Sequence, residues 1–307
     1  RDKTQPEFEL SDTGIFNESR YFDIFIEYAK CDEKDILVKI TAFNRGPEDA
    51  ELNIIPQIWF RNTWSWGYDL LKPQITLARK NTFSSDHKRL GKYYLYAKGD
   101  PQPMFCENET NVGKLYRFSD VQGYYKDGIH EYIVNGQKQA INPENRGTKA
   151  GFNYFMKISP GKSCTVQLRL TATPNERPFY GFEKIFKSRQ AEADDFYADT
   201  RAGILGDEAK TIQRQALAGM LWSKQFYYID IPQWLSGDPS QPAPPAERKS
   251  GRNNGWEHLT NADVISMPDK WEYPWYASWD LAFHCITFAM VDPHFAKGQL
   301  KLLTREW

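Results

Sequence analysis

Over roughly the first 174 residues, apolar and polar positions alternate with a period of two. In YFDIFIEYAK, residues 21–30, Phe22, Ile24, Ile26 and Tyr28 fall on one face and Asp23 and Glu27 on the other. That is the pattern of a half-buried strand. DILVKITAFNRGPEDAELNIIPQIWF, residues 35–60, gives two more alternating strands around an Asn-Arg-Gly-Pro turn. KLYRFSD, EYIVNG and CTVQLRLTA continue the pattern between Gly, Pro and Asn clusters. Many short strands with such punctuation predict an antiparallel β-sandwich.

The period lengthens after Pro178. EKIFKSRQAEADDFYADTR and DEAKTIQRQALAGMLWSKQFYY carry apolar residues at helical spacing, as with Ile212, Ala216, Met220 and Leu221, and Asp207 is the expected N-cap of the second. Residues 231–279 show little periodicity. Their Pro-rich part, GDPSQPAPPAERKSG, reads as disordered or as a surface flap, and the tryptophan-bearing part from Asn253 as ordered. Asp280–Val291 and Pro293–Trp307 then read as two helices around an Asp-Pro break. The expected fold is therefore multidomain β plus α: a β-sandwich over 1–174, a linker helix region over 175–206, and the start of a helical domain over 207–307. Arg1 is not an initiator methionine, and the last helix shows no Gly or Pro stop, so both ends are expected to be cut.

Composition narrows the function classes. With 40% hydrophobic and 26% charged residues the chain of 307 residues has a folded composition. Its 39 Lys plus Arg balance 40 Asp plus Glu, which gives no electrostatic reason to expect nucleic acid or an anionic membrane as partner. The apolar run after Asp280 stops at Val291, too short to span a bilayer. Four scattered cysteines, Cys31, Cys106, Cys164 and Cys285, fit free thiols in a reducing compartment, hence a cytoplasmic protein. Two sequons, at Asn17 and Asn108, could accept glycans only in a secreted protein. PGKSC resembles the end of a phosphate loop, but Met156 stands where its first glycine should be. His284 and His294 have no acidic or thiol cluster at metal spacing, so no metal site is expected.

The segment GWEHLTNADVISMPDKWEYPWYASWDLAFH, residues 255–284, concentrates the remaining chemistry. Trp256, Trp271, Trp275 and Trp279 alternate there with Glu257, Asp263, Asp269, Glu272 and Asp280. Sugars want this mixture, because pyranose C–H faces lie flat on aromatic rings while their hydroxyls need dense planar acceptors. The plainer reading places the tryptophans in a core and the charges in solvent; Pro268 and Pro274 count against a simple amphipathic helix. TWSWG, residues 63–67, is a second tryptophan pair, read chiefly as packing at a domain junction. Glycoside hydrolysis uses two carboxyl groups, one of them a proton donor. Asp280 stands at a predicted helix start, where the dipole and free N–H groups favour the ionised form. A carboxylate that grips sugar hydroxyls suits that place better than a proton donor, and a simple helix cap is the third reading. His284, four residues on, reads first as a structural hydrogen-bonding histidine.

The same segment, with IPQIWFRNTWSWG and EFELSDTGIFNESRYFDIFIEYAK, resembles the bacterial and fungal branch of glycoside hydrolase family 63, the wider family of processing α-glucosidase I and mannosylglycerate hydrolase. The resemblance runs along essentially the whole chain. It implies an N-terminal β-sandwich, linker helices and an (α/α)6 barrel, inversion at the anomeric carbon, a carbohydrate substrate, and no metal or organic cofactor. It also implies that Asp280, with Trp279 beside it, binds hydroxyls of the sugar in the −1 subsite. Trp275, Tyr276, Tyr273 and His284 would shape the pocket. The general acid and base it implies would lie beyond Trp307, so the chain would hold part of a sugar site without a complete catalytic pair. A non-catalytic carbohydrate-binding protein and a glycoside phosphorylase are the competing readings.

Overall fold

The computed structural model describes residues 2–69, 71–117, 123–201 and 203–305. The chain forms two compact units, one comprising residues 1–62 and 71–189, the other residues 63–70 and 190–307.

The first unit is built from β1 (Phe22–Asp32), β2 (Asp35–Asn44), β3 (Ala50–Ile54), β4 (Gln57–Trp59), β5 (Gln74–Arg79), β6 (Thr82–His87), β7 (Gly91–Ala97), β8 (Gln102–Cys106), α1 (Val112–Tyr116), α2 (Gly128–Val134), β9 (Arg146–Gly147), β10 (Lys149–Ile158) and β11 (Ser163–Thr171). Seven strands form one antiparallel sheet in the order β1-β2-β11-β7-β6-β5-β9. In the other sheet β10 lies between β8 on one side and β3 and β4 in succession on the other. Ile40, Ile75, Phe83, Leu95, Val166 and Leu168 of the larger sheet meet Phe105, Ala150 and Phe152 of the smaller in one core. Phe83 and Phe152 stack across it with centroids 3.7 Å apart.

The Asn-Arg-Gly-Pro turn carries the chain from one sheet to the other. Asn44, almost fully buried, donates through Nδ2 to the carbonyls of Glu48 (2.7 Å) and Ile158 (2.8 Å) and accepts from the Gly46 N–H (2.8 Å). The predicted strand after the turn is interrupted at Ile55-Pro56 and becomes β3 and β4, since proline cannot donate to a ladder. Along β1 the predicted apolar row exists, but Ile24, Ile26 and Tyr28 are each about half exposed. Ile26 pairs with core residue Ile40 and so shares its face. β1 is the edge of a seven-stranded sheet whose facing sheet has four strands, and the apolar row lies outside the shared core.

Two expected strands are helices. EYIVNG falls in α2, where Ile129 and Ile133, one helical turn apart, pack with Met104 and Cys106; the helical repeat shows only when the segment is read from Gly128. The first residues of KLYRFSD belong to α1, and residues 118–120 lie outside the described residues. Of the two sequons, Asn108 is already committed, its Nδ2 donating to the Phe60 carbonyl at 2.9 Å. All four cysteines are free thiols.

Helix α3 (Phe182–Thr200) follows; its Phe182 and Phe186 pack on Ala29 and Leu37. The second unit holds α4 (Asp207–Trp222), β12 (Lys224–Asp230), α5 (Ile231–Ser236), β13 (Thr260–Ser266), α6 (Ser278–Val291) and α7 (Pro293–Leu303). Gly206, not Asp207, is the N-cap of α4. That helix stops at Trp222, and the following KQFYYID, expected to continue it, pairs with TNADVIS as an antiparallel ribbon. Gln225, Tyr227 and Ile229 share one face of β12, a period-two pattern hidden within an apolar run. Buried Gln299 of α7 secures β13, donating to the Val264 carbonyl at 3.1 Å. The Pro-rich segment, expected to be disordered or a surface flap, makes specific contacts: Ser240 N–H donates to the Trp66 carbonyl (3.2 Å), Gln241 Nε2 to that of Ser65 (2.7 Å), and Arg248 lies 3.8 Å over the Trp234 ring. TWSWG is a short 3-10 turn ending at Gly67, whose φ of 88° a side chain would strain. Helix α7 ends at Leu303, capped at Thr304, so the helix expected to run on to Trp307 is shorter. Among the described residues no helix is long and apolar enough to cross a membrane.

Two ion pairs yield stability predictions. Arg169 makes a two-pronged contact with Asp35, with Nε–Oδ1 at 2.8 Å, and donates to the Pro178 carbonyl at 2.9 Å; both side chains are 9% exposed. Arg169→Met is expected to cost about 3–5 kcal/mol in urea unfolding, because it strands a buried carboxylate. The double variant Asp35→Leu/Arg169→Met should cost less than the sum of the singles.

Asp292 caps α7 through the Phe295 N–H (3.0 Å) and accepts from Lys224 Nζ (2.7 Å). The Lys224 hydrogen bond first, then that N–H, hold its pKa below the ordinary carboxylate value. Its contribution is therefore present above about pH 4 and is lost as pH falls through the lower folded value. Asp292→Ala should lower stability by about 2 kcal/mol at pH 7. The gap from the parent should narrow in urea titrations taken toward pH 2.

Candidate carbohydrate site

The aromatic segment is shaped by the ribbon before it acquires any chemistry of its own. Tyr227, 3% exposed, turns its hydroxyl to the carbonyls of Asp269 (2.7 Å) and Tyr273 (2.9 Å). Gln225 Nε2 donates to the carbonyls of Met267 (3.1 Å) and Pro268 (2.8 Å). Asp269 accepts from the N–H groups of Trp271 (2.7 Å) and Glu272 (2.6 Å), which closes a tight turn. Burial first, and the Asp269 charge second, push the Tyr227 phenol up to about 12, so it remains a neutral donor at physiological pH.

Tyr273, Trp275 and Tyr276 pack against a core of Tyr227, Ile265, Met267, Ala277, Leu281 and Leu302. The Tyr273 and Trp275 rings lie 5.6 Å apart, and the Arg252 guanidinium stands 4.9 Å from the centroid of Trp275. These three aromatics are half-buried, so each has both a packed part and an accessible part. Trp271, by contrast, is 92% exposed.

Helix α6 begins at Ser278, two residues before Asp280, with Ala277 as its N-cap and no side-chain cap. Asp280 is thus the third residue of the helix and not its cap. It is half-buried, and among the described residues its carboxylate has no hydrogen bond or ion pair. Trp279 is 72% exposed and meets Phe283 edge-on at 6.0 Å. One flank of α6 is fixed by Leu281, Cys285 and Phe288, all buried. His284 lies with Nδ1 3.0 Å from the hydroxyl and 3.1 Å from the carbonyl of buried Ser266. The carbonyl calls for the proton on Nδ1, which ties α6 to β13 and leaves Nε2 as acceptor.

The six residues singled out from sequence therefore fall into groups. Tyr273, Trp275 and Tyr276 are brought together on one core, Trp279 and Asp280 are neighbours on the first turn of α6, and His284 bonds to the ribbon. Sequence reasoning missed Gln225 and Tyr227, which hold the loop, as well as Ser266 and Arg252. The alternation of Gln225, Tyr227 and Ile229 was the available signal for the first two. Among the described residues no cluster of His, Cys, Asp and Glu could hold a metal ion.

No family model matches the chain. An uncharacterized protein of Saccharomyces cerevisiae, YMR196W, is 40% identical over an alignment of 348 residues that covers 98% of this chain. This chain spans 32% of that relative's length. Among solved structures, a polysaccharide lyase aligns at 9% identity over 52% of this chain and 21% of its own, with a TM-score of 0.32. A protein described as a kojibiose phosphorylase from the human microbiome aligns at 8% identity over 68% of this chain and 22% of its own, with a TM-score of 0.24. Likeness at these scores carries no argument about what this chain does.

Proposed function

We propose that the chain is part of an inverting glycoside hydrolase acting on α-linked glucosides or related small glycosides, with α4, α6 and α7 as first helices of an (α/α)6 barrel. The observation that supports this most is the first turn of α6. It combines a half-buried carboxylate without a partner among the described residues, N–H groups without a side-chain cap, and an exposed indole at the preceding position. A sugar needs all three: acceptors and donors for its hydroxyls and a flat apolar surface for its C–H face.

In this reading Asp280 is an anion that binds two hydroxyls of the sugar, and Trp279 covers its face. Trp275, Tyr273 and Tyr276 form a wall held in place from behind, and His284 orients the helix. Proton transfer belongs to other carboxyl groups of the whole protein, an acid and a base about 6.5–9.5 Å apart in an inverting enzyme.

Expressed in the full-length protein, Asp280→Asn should lower kcat/KM for an α-glucoside about 30- to 1,000-fold, the loss of two charge-assisted hydrogen bonds. Full recovery of Asp280→Ala on an aryl glycoside with a low-pKa leaving group would instead make Asp280 the general acid and end the clamp assignment. Product analysis separates the competing chemistries: formation of a sugar 1-phosphate that requires inorganic phosphate would replace hydrolysis with phosphorolysis, and tight sugar binding without turnover would leave a binding protein. Tyr227→Phe should raise KM several-fold more than it lowers kcat and cost about 1 kcal/mol of stability. Unchanged kinetics would show that the loop needs no such anchor.

A further inference from the structure

A cleft of mixed polar and apolar lining lies in the first unit, at the turn between β7 and β8. It has a volume of about 440 Å³ and is lined by residues including Lys98, Asp100, Asn153, Tyr154, Phe155 and Gln167. That volume lies within the range of small-molecule sites, about 300–1,000 Å³. We propose that this cleft is a carbohydrate-binding subsite, separate from the residues around Asp280, that takes a neutral oligosaccharide of pyranose units. The class of ligand rests on the carbohydrate reading above; the existence of the site does not.

Three features of the lining point to such a ligand. The first is an unused acceptor: Asn153 is 8% exposed, and among the described residues its Oδ1 has no hydrogen-bond partner. A buried acceptor left unpaired is costly, and a ligand hydroxyl donating to it would offset that cost. The second is apolar surface presented without cover, since Phe155 is 60% exposed. An exposed ring on a strand is the kind of platform that stacks on a pyranose face. The third is charge. Lys98 and Asp100 balance each other, which disfavours a strongly anionic or cationic ligand and leaves donors and acceptors for hydroxyls.

The cleft is also held in shape. Tyr154 donates its hydroxyl to the Lys98 carbonyl at 2.9 Å, and Lys98 N–H donates to the Gln167 carbonyl at 3.0 Å. Lys98 Nζ donates to Gln167 Oε1 at 2.6 Å, and Gln167 Nε2 passes on to Glu183 at 2.8 Å. Lys80 fixes Asp100 from outside at 2.8 Å. These bonds occupy one donor of Lys98 and one oxygen of Asp100, so both retain capacity for a ligand. A preformed polar wall of this kind needs little ordering when it binds.

The test is equilibrium binding to the full-length protein by calorimetry, with maltoheptaose and cellohexaose as probes. Phe155→Ala and Lys98→Met are compared with the parent after thermal unfolding has verified that each is folded. At least tenfold weaker binding of either probe in both variants, with that binding retained in Asp280→Asn, would establish the subsite. Binding lost in Asp280→Asn but unchanged in Phe155→Ala and Lys98→Met would overturn it while leaving the Asp280 site standing. Absence of binding of both probes to the parent protein would also overturn it. Because the readout is binding and not turnover, failure of the hydrolase assignment leaves this measurement intact.

Discussion

The organisation of the second unit depends on one buried phenol. Tyr227 lies in the first strand of a two-stranded ribbon, and its hydroxyl reaches the carbonyls of Asp269 and Tyr273. The segment between those carbonyls is flanked by Pro268 and Pro274 and has no ladder of its own. Its backbone groups must be paired by side chains or water. Tyr227 and Gln225 supply that pairing from one strand face, and the Asp269 turn supplies the rest. The loop thereby acquires a fixed path, and the aromatic rings on it acquire fixed positions. A phenol is well suited to the task because burial keeps it neutral and it has only two side-chain torsions to order.

The same constraint explains what could be read from the sequence and what could not. Long elements with an unambiguous period were legible: β1, β2, β11, α3, α6 and the Asp-Pro break before α7 all fall where alternation or helical spacing places them. Short apolar runs were not. KQFYYID is compatible with a helix continuing from α4 and with a strand, and only its partner, TNADVIS, more than thirty residues later, decides between them. Secondary structure of a seven-residue segment is here a tertiary property. EYIVNG failed for the opposite reason: its helical repeat begins outside the window, at Ile129. The Pro-rich stretch looked unable to order itself, and indeed its order comes from elsewhere, through the carbonyls of Ser65 and Trp66 and the ring of Trp234.

For the candidate site, composition was a better guide than position. The density of tryptophan and carboxylate in residues 255–284 marked the segment, and the structure sorts its members by burial. Tyr273, Trp275 and Tyr276 each belong partly to the core, so the packing and binding readings are not exclusive for them. A ring whose one edge is packed is held rigidly, and rigid apolar surface binds at lower entropic cost than a free side chain. Trp279 differs, because it is largely exposed and meets only the edge of Phe283 among the described rings. His284 resolves toward a structural bond through Ser266, as residue frequency alone would favour.

Asp280 shows how a helix start can be used without serving as a cap. Had the carboxylate occupied the N-cap, it would have been consumed by the N–H of the residue three positions on, as Asp292 is by Phe295 and Asp230 is by Gln233. Asp292 precedes a proline at the first helical position and Asp230 one at the second, where the missing N–H costs the helix nothing. α6 instead starts at Ala277-Ser278, with Asp280 third in its first turn. Its oxygens remain uncommitted among the described residues. A chain that caps α5 and α7 with aspartate but leaves the aspartate of α6 unpaired among the described residues has kept acceptor capacity at a helix start beside the exposed Trp279 indole. That contrast within one unit supports the role proposed for Asp280 more directly than the aromatic composition does.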